Sequence, residues 1–122
     1  MRQVIFDTSF LMAVADHPTS WREDIESSVG AFQAVLLDRV EEELKALASR
    51  GGKKGKSATV ALEMASGFKR LRSGSGPVDD EVMSASLTTG GAVATNDAEL
   101  ASSLRAMHVK VFSLRSGRVW ER

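Results

Sequence analysis

The stretch Gln3-Val4-Ile5-Phe6-Asp7-Thr8-Ser9 decides how this chain reads. Val4, Ile5 and Phe6 are strand formers in unbroken apolar order, the pattern of a short strand covered on both faces. Asp7 ends that run, and an aspartate there is expensive to place for stability alone. An apolar helical turn follows at residues 10–15 and stops at Pro18. A buried strand feeding a helix is the opening of an alternating α/β chain, and the remaining sequence continues the alternation.

Outward from that start, Ser20 and Glu23 have the spacing of a capping box, opening a helix that runs to Val29 and closes at Gly30. Residues 31–37 form the second apolar run, read as a strand. Asp38, with Glu41 three residues on, caps a helix whose Val40, Leu44, Leu47 and Ala48 recur at amphipathic spacing; Gly51-Gly52 ends it. Ser57 opens a longer helix expected to reach Arg72, with Val60, Met64, Phe68 and Leu71 inward, although Gly67 suits a helix poorly. Residues 73–77, Ser-Gly-Ser-Gly-Pro, read as a flexible turn. Asp79 or Asp80 then caps a helix ending at Gly90-Gly91. A strand is expected at 92–95, a cap at Asn96-Asp97, a helix at 98–107 and a last strand at 109–114. The chain turns at 115–118, leaving Val119 and Trp120 to pack back or pair at an edge. The pattern predicts a three-layer α/β domain with a parallel sheet between helices.

Composition narrows the possibilities. A chain of 122 residues holds one core, so a single domain over 1–122 is expected. The absence of cysteine excludes disulfide frameworks and thiolate zinc sites. Asp7 interrupts any signal-like apolar run, and no stretch approaches the roughly 18 apolar residues of a membrane helix, so a cytoplasmic protein is expected. Sixteen basic and sixteen acidic residues cancel, which argues against a broad cationic surface for nucleic acid. Local clusters exist nonetheless: Arg50, Lys53, Lys54 and Lys56 in a glycine-rich loop, then Lys69, Arg70 and Arg72. Solvated loops ordinarily explain such runs.

The acids are more informative. Ligands of open α/β sheets bind outside the carboxyl ends of the strands, and Asp7 and Asp97 each directly follow a strand. Asp79 and Asp80 begin a helix expected to start towards the opposite edge, so topology alone leaves them outside. At about 100° per residue, Glu43 lies within roughly 60° of Val40 and Leu47 and borders the buried stripe. Glu42 faces solvent, and Glu41 helps the cap. Capping alone accounts for Asp38, Asp79 or Asp80, and Asp97 taken singly; it does not account for Asp7. Converging carboxylates suit Mg²⁺ or Mn²⁺, hard cations that take oxygen ligands. Such an ion activates water and neutralises charge on a scissile phosphate. His17 and His108 are the only histidines, and a histidine at a strand start, like His108, is ordinarily structural.

Taken in order, Val4-Ile5-Phe6-Asp7-Thr8-Ser9, Val40-Glu41-Glu42-Glu43-Leu44, Val78-Asp79-Asp80 and Ala94-Thr95-Asn96-Asp97-Ala98-Glu99-Leu100 resemble the PIN domain family. The closing Val109-Lys110-Val111-Phe112-Ser113-Leu114 looks like the family's last strand. The resemblance covers nearly the whole chain, and is greatest to compact archaeal members similar to toxin and ribosomal-RNA-processing ribonucleases. It implies a Mg²⁺- or Mn²⁺-dependent ribonuclease whose catalytic and metal-binding acids are Asp7, Glu43, Asp79 and Asp97. It implies that Ser9 orients Asp7, that Asp80, Thr95, Asn96 and Glu99 support the set, and that the Asp79 segment approaches the other acids. RNA is the implied substrate, with Lys53, Lys54 and Lys56 as candidate contacts. A homodimer and an antitoxin or ribosome-assembly protein are the implied partners. Family members carry a further strand before the third acid; with only residues 73–78 available, that edge strand is expected to be missing, leaving about four strands. Two other functions compete: a non-catalytic PIN-like module that docks RNA or protein in a larger assembly, and a phosphate-accepting regulator or phosphatase. The latter wants a second aspartate close to the first, where Thr8 and Ser9 stand.

Overall fold

In the computed structural model, which describes residues 1–122, strand β1 (Arg2–Phe6) lies inside the sheet with Val4, Ile5 and Phe6 fully buried. Helices α1 (Thr8–Asp16) and α2 (Trp21–Val29) follow, then β2 (Phe32–Leu37), α3 (Asp38–Ser49) and α4 (Gly52–Met64). The second half runs β3 (Lys69–Leu71), α5 (Val78–Thr89), β4 (Ala92–Ala94), α6 (Ala98–Ala106), β5 (Val111–Arg115) and β6 (Arg118–Glu121). The strands lie in the order β3-β2-β1-β4-β5-β6. The first five are parallel, and β6 returns antiparallel on β5, pairing Ser113 with Trp120 and Arg115 with Arg118.

The expected α/β sandwich is present, but the sheet has six strands rather than four. The edge strand is not missing. It is β3, pairing Lys69, Arg70 and Leu71 with Val35, Leu36 and Leu37, where the sequence suggested the end of a long helix. That helix, α4, starts five residues earlier than Ser57 and ends at Met64. Ser66 and Gly67 are weak helix formers, and beyond them Phe68 turns into an aromatic group centred on Phe6. The Phe6 ring centroid lies 4.9 Å from Phe68, 5.2 Å from Trp21 and 5.5 Å from Phe10. Such pairs are worth about 0.5–1.5 kcal/mol each beyond their buried area. This packing outweighs continuation of the helix and delivers residues 69–71 to the sheet. Val60, expected inward, is 41% exposed.

Three smaller expectations also change. Lys53, Lys54 and Lys56 sit on the opening turns of α4, not in a loop. Ser20 occupies the position before α2, but its hydroxyl makes no capping bond. Residues 73–77 are firmly held: Glu81 accepts from the Gly74 N–H at 2.6 Å and the Gly76 N–H at 3.2 Å, while Arg39 Nε donates to the Gly76 carbonyl at 2.9 Å.

Candidate metal and catalytic site

Asp7 is fixed before its side chain is considered. Its N–H donates to the Ala94 carbonyl at 2.9 Å, extending the pairing of β1 with β4 by one residue. The side chain is 3% exposed. Its Oδ2 accepts from Ser9 Oγ and from Thr95 Oγ1, each at 2.7 Å. Those hydroxyls stand 3.1 Å apart and are themselves held, since the Asn96 N–H donates to Ser9 Oγ at 2.9 Å and the Asp97 N–H to Thr95 Oγ1 at 3.0 Å. Two strand ends are thus knitted together around one carboxylate oxygen. Burial pushes the Asp7 carboxyl above its ordinary range; the Ser9, Thr95 and Thr8 hydrogen bonds oppose this, and the nearby Glu43 charge adds to it. The neighbouring Thr8 hydroxyl is buried without a partner.

Asp97 caps α6, its Oδ1 accepting from the Leu100 N–H at 3.0 Å. Asn96 grips β5 in both directions: its Nδ2 donates to the Leu114 carbonyl at 3.1 Å and its Oδ1 accepts from the Leu114 N–H at 2.8 Å. Ser113 Oγ donates to the Thr95 carbonyl. The roles of Ser113 and of the Asn96 grip were not legible in the sequence, because they depend on which residues of β4 and β5 lie side by side.

Capping does not occupy the other acids. Asp38 is the first residue of α3, and Asp79 and Asp80 lie within the first turn of α5, whose preceding residue is Pro77. Asp79 is exposed, and its carboxyl is raised by desolvation first, then by the charges of Asp97, Asp7, Glu43 and Asp80. Asp79 is therefore at the carboxyl edge of the sheet, contrary to the topological expectation. The physical reason is direction: α5 leads into β4 and runs antiparallel to the parallel strands, so it begins at their carboxyl ends.

Glu43 is half-buried on α3 while Glu42 is exposed, as the helical geometry indicated. Glu41 is engaged elsewhere, paired with Arg70 and Lys45. Asp80 and Glu99 are exposed beside the set. No lysine or arginine forms an ion pair with Asp7, Glu43, Asp79 or Asp97. Four carboxylates without an ion-paired lysine or arginine suit Mg²⁺ or Mn²⁺ in kind. They are an open set, however: no three acidic, histidine or cysteine side chains stand close enough to enclose an ion, and none of the four surface cavities includes these acids. Lys53, Lys54 and Lys56 are exposed and are not brought to the acids. Gly55, between them, lies against the carbonyls of Leu47 and Ala48 in the last turns of α3; Ser49, where α3 ends, is about 9 Å along the helix from Glu43.

Residues 4–117 match the family model described as the PIN like domain. The fold is similar to the structure of the PIN domain endonuclease Utp24, with a TM-score of 0.82 and 23% identity, covering 98% of this chain and 90% of that one. It is also similar to VapBC2 from Rickettsia felis, bound to a DNA fragment from their promoter, with a TM-score of 0.71 and 13% identity over 93% and 99% of the two chains. A domain of a functionally unknown protein from Methanocaldococcus jannaschii gives a TM-score of 0.69 and 19% identity over 95% and 93%. At these identities the likeness is one of fold. No curated protein matches the sequence.

Proposed function

The chain belongs to the PIN-like domain family, and from that premise we propose that it is a Mg²⁺- or Mn²⁺-dependent endoribonuclease acting through Asp7, Glu43, Asp79 and Asp97. The observation that carries this reading is the approach of Asp7, Glu43 and Asp97 to Asp79, from four separate segments, with no lysine or arginine ion-paired to any of them. A divalent ion held by the four carboxylates would supply an activated water and neutralise charge on the scissile phosphate.

The chain's own residues do the remaining work. Ser9 and Thr95 hold Asp7 in one orientation by donating to the same oxygen, so its reorganisation on loading is small. Asp97 keeps one oxygen on the α6 N-terminus. Asn96 holds the end of β5 beside the set, and Asp80 and Glu99 flank it as further oxygen donors. Lys53, Lys54 and Lys56 are proposed as distal contacts for the RNA backbone. A homodimer and an antitoxin or ribosome-assembly protein belong to the same proposal, as do a single domain and a cytoplasmic location. No helix is long and apolar enough to cross a membrane.

The test is cleavage of a labelled single-stranded RNA with Mg²⁺ or Mn²⁺, with a chelator, and with Asp7→Asn. Cleavage should require the metal and vanish in the variant; persistent cleavage by pure Asp7→Asn protein would overturn the assignment. The openness of the acid set favours a second reading, a non-catalytic module that docks RNA or protein. Calorimetric titration with Mn²⁺ separates the two: stoichiometric binding lost in Asp7→Asn supports the nuclease, and no binding supports the module.

A further inference from the structure

Strand β6 places alternate residues on opposite faces of the sheet. Val119 is buried on one face, and Glu121 has its carboxylate drawn to Ser28 at 2.8 Å and Lys110 at 3.4 Å. Arg118, Trp120 and, one residue past the strand, Arg122 alternate with them. The β5 residues opposite Arg118 and Trp120 are Arg115 and Ser113. Helix α6 contributes Arg105, and the three elements enclose a groove of about 280 Å³ lined by Arg105, Ser113, Arg115, Trp120, Glu121 and Arg122, the one carboxylate among them being held by Ser28 and Lys110.

Three features of this groove need explaining. Trp120 is 51% exposed, although tryptophan normally covers its large apolar surface. Its ring is held in place: Nε1 donates to the Arg115 carbonyl at 3.1 Å, and the Arg118 guanidinium lies 5.1 Å from the ring centroid. None of the four arginines forms an ion pair, in a chain whose charges cancel overall. A fixed, exposed indole among unpaired guanidinium groups is the combination that takes single-stranded nucleic acid, base against ring and phosphate against arginine. One end of the groove is tied to the segment that carries Asp97. Arg115 directly follows Leu114, which Asn96 grips from both sides, and Asn96 precedes Asp97.

We propose that this groove between α6 and the β5–β6 hairpin binds single-stranded RNA, with a base stacked on Trp120, and leads the strand to the carboxyl edge of the sheet. The choice of RNA rests on the nuclease reading; the groove itself does not.

The test is binding without cleavage: fluorescence anisotropy of a short, unstructured, labelled RNA in the presence of chelator. Trp120→Leu should weaken binding about tenfold and Trp120→Phe much less. Replacing Arg105, Arg115 and Arg122 by Ala should each lower the slope of log K against log salt by about 0.7. In a Trp21→Phe background, RNA should quench the remaining Trp120 emission. Unchanged affinity in Trp120→Leu and in all three arginine variants, with native circular dichroism, would overturn the groove. So would displacement of the RNA by poly-glutamate combined with no effect of Trp120→Leu. The two proposals fail separately: lost binding in Trp120→Leu alongside metal-independent cleavage would sink the nuclease reading and keep the groove. Metal-dependent cleavage with binding unaffected by any groove variant would do the reverse.

Discussion

Asp7 is buried and held by two hydroxyls, and its burial acts against stability. Because burial holds its pKa above the ordinary carboxylate value, the folded chain keeps the Asp7 proton to higher pH than the unfolded chain does. The contribution of Asp7 to stability is therefore greatest below the ordinary carboxylate range and falls as pH rises through the raised pKa. Asp7→Asn removes the buried charge while an amide oxygen can still accept from Ser9 and Thr95. In metal-free buffer at neutral pH it should raise Tm by about 2–5 °C, measured by calorimetry, and flatten the pH dependence of Tm. A lower Tm would show that the charge is better accommodated than this account allows. Thr95→Val acts in the other direction. It removes a donor to Asp7 and the acceptor of the Asp97 N–H at nearly unchanged volume, and should cost about 1–3 kcal/mol in urea unfolding. The importance of Asp7 was legible in the sequence because a charge at the end of an apolar strand needs a reason. The convergence of both hydroxyls on Oδ2 was not, because Ser9 and Thr95 are 86 residues apart.

At the scale of elements, the helices with strong amphipathic spacing were readable and the edge strand β3 was not. Lys69-Arg70-Leu71 has no alternation to recognise, and its two basic residues look like a solvated helix end. What makes it a strand is tertiary: Phe68 anchors in the aromatic group and the open edge of β2 takes the next three residues. Asp79 is a separate matter, because a helix that leads into β4 antiparallel to the strands starts at their carboxyl edge with or without β3. The junction of α5 with β4 shows a different constraint. A Cβ on Gly91 would stand 2.9 Å from the Gln3 carbonyl oxygen of β1, a backbone atom that cannot turn aside. Gly91→Ala should destabilise by about 1–3 kcal/mol. Equilibrium denaturation measures this, and an unchanged midpoint would mean that β4 can shift away from β1 at little cost.

For the whole molecule, the acids are a source of self-repulsion that a bound ion would relieve. Mn²⁺ should raise Tm in proportion to the logarithm of its concentration once the site fills, about 2.7 kcal/mol of added stability at a hundredfold excess over Kd. Asp79→Asn should remove most of that shift. A metal-insensitive Tm in the parent protein would count against the site whatever its activity. Family, fold class and the four candidate acids could be reached from the sequence because they depend on local pattern and order. Strand count, the firmness of residues 73–77 and the arginine-lined groove depend on which distant segments meet.

The acid set begins at residue 7 and ends at residue 97, with its other members on α3 and α5. None of its pairs is local, so no hairpin or helix formed early in folding can hold two of them in place. A chain still emerging from the ribosome has Asp7 exposed long before Asp97 exists. A partly folded intermediate that lacks β4 does not hold Asp97 beside Asp7. Any hydrolytic capacity of this protein would therefore appear late and all at once, with the pairing of β1 and β4. The order of the chain thus ties the assembly of the acid set to one long-range event, the docking of β4 on β1.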